Sequence, residues 1–258
     1  MDTGGFNSSV VAEALLHAWT FDHVGQGVVL DEGSTQTPAI AYGAVSDQAV
    51  VRKGAASLFF PPMSNAFVEA ENVLLPTPFT VTAWVRVDSN QALPDLMVVL
   101  SLASHDGAQL VELRLVYGQL QLQVLSPGKS RVLYGDAGAG TLAPGRWHLV
   151  AACFDGGAMQ LVLNGRELSS TSIALEPESS WRLDVGRRNI EEPDRYYWGW
   201  IDDIAIWQLH LTPLQLLRHC MFAHPSCYCY CYCCCCCCCC CCCCCCCCCC
   251  CCCCLASI

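Results

Sequence analysis

The chain has 258 residues, of which 13 are Lys or Arg and 23 are Asp or Glu, giving a formal net charge of −10. This acidic balance provides no basic surface for a phosphate backbone, so we expect no nucleic-acid partner. No body segment reaches the roughly 18 to 20 uninterrupted apolar residues that a spanning helix requires, so we also expect no membrane span. The length suits a single all-β domain, since sandwiches run to roughly 200–250 residues.

The cysteines separate the body of the chain from its tail. Of the 27 cysteines, only Cys153 and Cys220 precede Cys227, so the body is not a disulfide framework. The tail ends in an unbroken cysteine run, Cys233–Cys254, which encodes no specific fold and lacks the spacers of a zinc site. We interpret residues 223–258 as disordered low-complexity sequence or a gene-model artefact. A tail that binds soft metals or is palmitoylated is the alternative.

Short strands punctuated by Gly and Pro turns are predicted through the first half of the body. Residues 1–13 carry little pattern and are expected to be an unstructured leader or the remnant of a longer protein. The strands predicted after them are 15–22, 49–52, 57–60, 66–70 and 79–87. The last, FTVTAWVRV, alternates apolar residues with Thr80, Thr82, Trp84 and Arg86, which predicts a half-buried strand of a two-layer structure.

The second half continues as hairpins and ends in one short helix. The predicted strands are 96–103, 109–117, 119–125, 131–134, three successive strands from 145–168 divided by turns at 155–157 and 164–165, then 181–186 and 196–207. A turn at 104–108 is centred on Asp106, and Asn164–Gly165 is a strong hairpin signal. Thr212 is a good N-cap with Pro213 at the first helical position. We therefore predict an all-β fold in residues 14–222, an antiparallel two-sheet sandwich with one short C-terminal helix.

The strand from Tyr196 to Trp207 is apolar on both parities, which predicts a central position. Trp198, Trp200, Ile204 and Ile206 share one parity, and Ile201, Ala205 and Trp207 share the other. Asp202 and Asp203 interrupt this run, and buried carboxylates need hydrogen-bond donors or a metal. We favour a structural role, in which they accept backbone hydrogen bonds from neighbouring turns, over a binding or catalytic site.

Four segments in order carry a family resemblance. They are WTFD (19–22), FTVTAWVR (79–86), GRWHLVAACFDGGAMQLVLNGRE (145–167), and VGRRN (185–189) followed by WGWIDDIAIWQLHLT (198–212). Together they resemble the concanavalin A-like lectin/glucanase superfamily, specifically its laminin G-like and pentraxin-like jelly-roll domains, over most of residues 15–219. The resemblance implies two antiparallel sheets packed face to face. Structural roles are expected for Trp84, Trp147, Trp200, Asp202 and Asp203.

The resemblance also implies a noncatalytic module that binds a glycan or an extracellular protein through rim loops, often with calcium on one rim. The calcium candidates it implies are Asp106, Glu191, Glu192 and Asp194, although Arg187 and Arg188 stand where acids or amides are expected. The alternative is a solvated charged loop, in which the two arginines neutralise Glu191, Glu192 and Asp194. An extracellular or cell-surface location follows from the resemblance, although no secretory signal is visible in this chain.

Two alternative functions stand beside this one. The superfamily includes glucanases, whose E-x-D-x-x-E signature is approached only by Glu192 and Asp194, with Tyr197 where the last Glu should stand. We therefore expect no enzyme activity. The other alternative is a purely structural domain of a larger multidomain protein.

Overall fold

The computed structural model describes residues 8–89, 92–136, 138–176, 178, 180–188 and 195–218, which form two helices and 17 strands. The helices are α1 (Ser8–Glu13) and α2 (Pro213–Leu216). The strands are β1 (Leu15–Trp19), β2 (Val24–Gly25), β3 (Val28–Val29), β4 (Ala39–Tyr42), β5 (Val45–Asp47), β6 (Ser57–Phe60), β7 (Phe67–Val73), β8 (Phe79–Val87), β9 (Leu96–Ser104), β10 (Leu110–Val116), β11 (Gln119–Ser126), β12 (Lys129–Tyr134), β13 (Trp147–Phe154), β14 (Ala158–Leu163), β15 (Arg166–Ser172), β16 (Trp181–Val185) and β17 (Gly199–Trp207). Cys220 and the cysteine tail lie outside the described residues.

The strands build two antiparallel sheets, which confirms the predicted all-β sandwich. An eight-stranded sheet has the order β15-β14-β13-β8-β17-β6-β5, with β1 also pairing with β17. A nine-stranded sheet has the order β12-β11-β10-β9-β16-β7-β4-β3-β2. The main hydrophobic core lies between them, because every second residue of strands such as β8 and β11 points inward. The face of each sheet that points away from this core is called its outer face below.

Strand β8 is buried on both faces, not half-buried as its alternation predicted. Phe79, Val81 and Val85 lie in the main core, but Trp84 on the opposite face is only 3% exposed. A second apolar cluster covers that outer face of the eight-stranded sheet. It consists of Val11, Ala14, Trp84, Leu149, Ala151, Cys153, Val162, Trp207, Leu211 and Leu216.

Both helices contribute to this second cluster. Val11 of α1 and Leu216 of α2 are buried in it. Residues 8–13 form a helix, whereas the sequence predicted an unstructured leader. The helix is stabilised by the buried Val11, because a short helix in water needs an apolar contact with the rest of the fold. Helix α2 begins as predicted, with a capping box between Thr212 and Gln215 and Pro213 at its start.

Two of the departures from the predicted strands have clear local reasons. Residues 49–52 form bends, because Asp47 Oδ1 accepts hydrogen bonds from the backbone N–H groups of Ala49 and Val50 and turns the chain directly after β5. In β17 a bulge lies between Asp202 and Ala205, with Asp203 in the left-handed region at φ 47°.

The bulge in β17 reverses the alternation of side chains along the strand. Ile201 before it and Ile204 and Ile206 after it all point into the main core. The predicted parity, which placed Ile204 and Ile206 on the same face as Trp200, is therefore wrong beyond Asp202. An extra residue in a strand exchanges its two faces, and the sequence pattern gave no sign of it.

Candidate functional site

A row of polar side chains crosses the outer face of the nine-stranded sheet. Register pairs place one residue of each of eight neighbouring strands on a single line, and all point away from the main core. In spatial order the line consists of Val132, Gln123, Glu112, Ser101, Asp184, Glu69, Ile40 and Val28. We call it the cross-sheet row. Its polar part spans five strands, or about 19 Å at the usual strand spacing.

Glu112 forms the first charged centre of the row. Its side chain is buried, and Arg188 donates to both of its carboxylate oxygens, at 2.6 and 3.1 Å. Arg114 lies 3.4 Å from Oε1 of the same carboxylate. The amide oxygen of Gln123 accepts hydrogen bonds from Arg188, at 2.6 Å, and from Arg114. The buried charge is thus balanced and hydrogen-bonded, as a charge removed from water must be.

Asp184 forms the second charged centre, two strands away. Arg187 Nε donates to Asp184 Oδ1 at 2.7 Å. Arg182 Nε lies 3.0 Å from Oδ2 in an ion-pair contact that lacks the alignment of a hydrogen bond. Glu69 Oε2 accepts from both arginines, at 2.9 and 2.8 Å, and joins them into one network. Burial raises the pKa of Asp184, and the hydrogen bonds and charges of the two arginines oppose that rise.

Aromatic rings border the second centre. Tyr42, 42% exposed, stacks on Phe67 with ring centroids 4.6 Å apart, and its hydroxyl donates to Glu69 Oε1 at 3.1 Å. The Arg187 guanidinium lies 3.3 Å from the Phe67 ring centroid. The hydrogen bond to Glu69 raises the pKa of Tyr42, since the carboxylate favours the protonated phenol. The face therefore offers an exposed aromatic ring beside planar hydrogen-bonding groups.

The predicted calcium candidates are divided between the described and the masked parts of the chain. Asp106 is exposed, and its Oδ1 accepts from Ser104 Oγ at 2.6 Å and from the Ala108 N–H at 2.9 Å, so it closes the turn between β9 and β10. These bonds from Ser104 and Ala108 lower the pKa of Asp106. Glu191, Glu192 and Asp194 lie outside the described residues.

Within the described ranges, no three His, Cys, Asp or Glu side chains form a group that could hold a metal ion. Of the four candidates only Asp106 lies within the described residues, and its carboxylate is bound by its own turn, so calcium stays a prediction. Arg187 and Arg188, which stand where a calcium loop would carry acids or amides, instead pair with the carboxylates of the sheet face.

The predicted structural residues lie on the eight-stranded sheet, away from the row. Asp202 Oδ2 accepts from the backbone N–H groups of Arg52 and Lys53, at 3.0 and 3.2 Å, and so holds the turn before β6. Asp203 Oδ2 lies 3.5 Å from Lys53 Nζ. Burial, and then the neighbouring Asp203, raise the pKa of Asp202 to about 8.

The three tryptophans lie on the outer face of the same sheet. Trp84 is covered by the Arg52 guanidinium, 4.0 Å from its ring centroid. Trp147 packs half-buried against the second apolar cluster. Trp200 Nε1 donates to Asp47 Oδ2 at 2.8 Å, and its ring lies against Phe59. None of the three therefore belongs to the cross-sheet row.

Sequence reasoning missed Glu69, Glu112, Arg182 and Asp184. A usable signal existed in two of their strands, because Glu112 lies between Val111 and Leu113, and Asp184 between Leu183 and Val185. A charged residue at the outward position of an otherwise apolar strand marks a face on which the charge is paired. The alignment of the strands, which brings these residues together, is not encoded in any one segment.

Comparisons with known proteins agree with this fold. A laminin G family model, described as the concanavalin A-like lectin/glucanases superfamily, matches residues 63–216, more than half of the chain. No curated protein sequence matched the chain. Neither described helix has the length and hydropathy of a membrane-spanning segment.

Similar solved structures include domain 4 of AbnA, a GH43 extracellular arabinanase from Geobacillus stearothermophilus, in complex with arabinotriose. It has a TM-score of 0.60 at 17% identity, over 79% of this chain and 97% of that one. The ligand binding domain of botulinum neurotoxin serotype D, in complex with N-acetylneuraminic acid, has a TM-score of 0.58 at 12% identity. That match covers 81% of this chain but 51% of the toxin domain. At these identities the structures show a shared fold, and the family match shows that the chain belongs to the concanavalin A-like lectin/glucanase superfamily.

Proposed function

We propose that this protein is a noncatalytic carbohydrate-binding module whose ligand lies along the cross-sheet row. The observation that carries the proposal is the exposed Tyr42 ring beside a line of guanidinium, carboxylate and carboxamide groups on one sheet face. A saccharide presents apolar C–H faces and ring hydroxyls that both donate and accept hydrogen bonds. An aromatic ring beside paired donors and acceptors matches both features.

The paired charges make this face suitable for hydroxyl recognition. Each guanidinium is held in place by a carboxylate or a carboxamide, so its remaining N–H groups are oriented before any ligand arrives. Preoriented groups lower the entropy cost of binding. The similar structures support a carbohydrate as the ligand class, since the AbnA domain is in complex with arabinotriose and the toxin domain with N-acetylneuraminic acid.

A binding role is favoured over glycoside hydrolysis by the state of the two buried carboxylates. A glycosidase needs a protonated acid and a second carboxylate free to act on the sugar or a water. Glu112 is held in a two-oxygen contact with Arg188. Asp184 Oδ1 accepts from Arg187, and its Oδ2 lies within ion-pair distance of Arg182. The pairing of both carboxylates with arginines supports a binding role for this face.

Glycan-array screening followed by calorimetry with the best-binding oligosaccharide tests the proposal. Tyr42→Ala should weaken binding at least tenfold, because it removes the exposed stacking surface. Tyr117→Ala is the matched control, since Tyr117 is an exposed tyrosine in the turn between β10 and β11, away from Tyr42. Equal affinities for the two variants would reject the row as the binding surface. Absence of binding to any glycan, together with capture of a protein ligand in pull-downs, would reject the carbohydrate proposal.

Calcium-dependent ligand binding at the rim is a separate prediction and has its own experiment. Binding measured with 2 mM calcium and then with excess EDTA should differ if Asp106, Glu191, Glu192 and Asp194 hold the ion near the ligand. Unchanged affinity would restrict recognition to the sheet face.

Reducing-sugar assays on β-glucans with the wild-type protein test the alternative hydrolase function, which predicts product release.

A further inference from the structure

Among the described residues, the ion-paired side chains on the outer face of the nine-stranded sheet carry equal numbers of positive and negative charges. Its network contains four guanidiniums, of Arg114, Arg182, Arg187 and Arg188, and four carboxylates, of Glu69, Glu71, Glu112 and Asp184. Every member has an opposite charge within 3.5 Å. An anionic ligand group would therefore have to compete with a carboxylate of the protein for its arginine. Separating a partly buried pair leaves a desolvated charge without its partner, which is costly.

The acids of this network that reach solvent are at one end of the row. The side chains of Glu112 and Asp184 are fully buried, whereas those of Glu69 and Glu71 are 24% and 49% exposed. A ligand that lies across the row from Glu112 to Tyr42 thus passes beside two carboxylates that reach solvent, and Glu71 is more exposed than any of the four arginines. The protein as a whole carries a formal charge of −10, so the long-range field adds to the repulsion of anions.

We propose that the cross-sheet row selects uncharged saccharides and excludes glycans that carry carboxylate or sulfate groups. This inference rests on the carbohydrate-binding function proposed above and names its ligand class. Neutral hydroxyl groups can accept from the outer N–H groups of the arginines and donate to Glu69 without displacing any ion pair. The exposed carboxylates repel acidic sugars, and each arginine is already paired with a carboxylate of the protein.

The selectivity can be tested with two trisaccharides that differ only in their charged groups. Galactotriose and trigalacturonate share the same ring stereochemistry and differ by oxidation of C6 to a carboxylate. Both are titrated into the intact chain at low ionic strength, alongside array glycans that carry or lack sialic acid and sulfate. We expect neutral probes to bind at least tenfold more tightly than their acidic counterparts. We also expect 0.5 M NaCl to reduce that ratio, because salt screens exposed charges.

The variant Glu71→Gln tests whether this face is the origin of the selectivity against acidic saccharides. Removing one exposed like charge a few ångströms from the ligand should strengthen binding of the acidic probe about fivefold and leave the neutral probe nearly unchanged. Glu167→Gln is the control, since Glu167 is an exposed acid on β15 of the other sheet. Equal effects of the two variants would overturn the assignment to this face.

The outcomes separate this inference from the function on which it rests. Acidic probes that bind as tightly as neutral ones, or more tightly, would overturn the selectivity and leave carbohydrate binding intact. Absence of binding to all saccharides on the array would overturn the proposed function and the selectivity together.

Discussion

Replacing Asp202 should weaken the fold without affecting the cross-sheet row. Its Oδ2 accepts from two backbone N–H groups, those of Arg52 and Lys53, and its side chain is fully buried. In Asp202→Ala both donors lose their acceptor, which costs about 1–3 kcal/mol in the free energy of unfolding. For a domain of this size, we expect the melting temperature to fall by roughly 2–12 °C. Glycan affinity should stay at the wild-type value, since Asp202 lies on the other sheet.

The variant Asp202→Asn separates hydrogen bonding from charge. Burial and Asp203 raise the pKa of Asp202 from its ordinary value of 3.8 to about 8 in the folded protein. A raised pKa favours the protonated form, so the contribution to stability is full below pH 3.8 and is lost as the pH rises through about 8. Asparagine keeps an acceptor and cannot ionise. The Asn variant should therefore gain stability relative to the wild type between pH 7 and pH 9.

Thermal and urea denaturation at pH 5, 7 and 9 measure both effects. Asp106→Ala is the control, because Asp106 is an exposed turn acid and its loss should cost under about 1 kcal/mol. Melts of Asp202→Ala that coincide with the wild type would show that Asp202 does not hold the 52–53 turn. If Asp202→Asn and the wild type changed in parallel between pH 7 and pH 9, the argument from ionisation would fail.

Three further predictions concern other parts of the fold. Burial raises the pKa of Asp31, but hydrogen bonds from His17 and from the N–H groups of Ala18, Gly33 and Thr37 outweigh it and lower the pKa to about 2. The contribution of Asp31, about 2 kcal/mol, is thus present above pH 3.8 and is lost as the pH falls through about 2, so Asp31→Asn should flatten the acid side of a pH–stability curve. Arg188→Gln should cost about 3–5 kcal/mol because it leaves Glu112 buried without its two-oxygen partner; urea melts check this, and a loss under 1 kcal/mol would contradict it. Thr80→Val keeps the side-chain shape but removes the hydrogen bonds to Leu209 and Leu211, at 2.7 and 2.8 Å, and should cost about 1–3 kcal/mol by the same measurement.

Local alternation was sufficient to predict the architecture. The period of two in residues 79–87 and 119–125 and the turn signals between short apolar runs predicted antiparallel sheets, and the family resemblance predicted their packing. The errors came from tertiary features. The outer face of β8 is covered by helices from both ends of the described chain, and the bulge at Asp203 exchanges the faces of β17. Neither feature leaves a signal in the strand that it alters.

The candidate site was the least predictable part. Asp184 and Glu112 are 72 positions apart in the sequence, and they share a face only because β9 lies between their strands and pairs Ser101 with both. Arg188 was interpreted as a departure from a calcium loop, since a loop residue gives no indication of the strand on which it folds back. Its partner Glu112 became evident only from the sheet register. Non-local pairing of this kind needs the three-dimensional structure.

The pairing of β1 with β17 determines how this domain can be combined with other proteins. Leu15 pairs with Trp207, and the Gln208 N–H donates to the Ala14 carbonyl at 2.9 Å, so the first and last strands leave the sandwich side by side. Helix α1 precedes β1 and helix α2 follows β17, and both pack on the second apolar cluster, so a host loop could accept the whole of residues 8–218 as an insert. The same proximity makes the fold suited to circular permutation, with new termini opened at the exposed turn of Gly107.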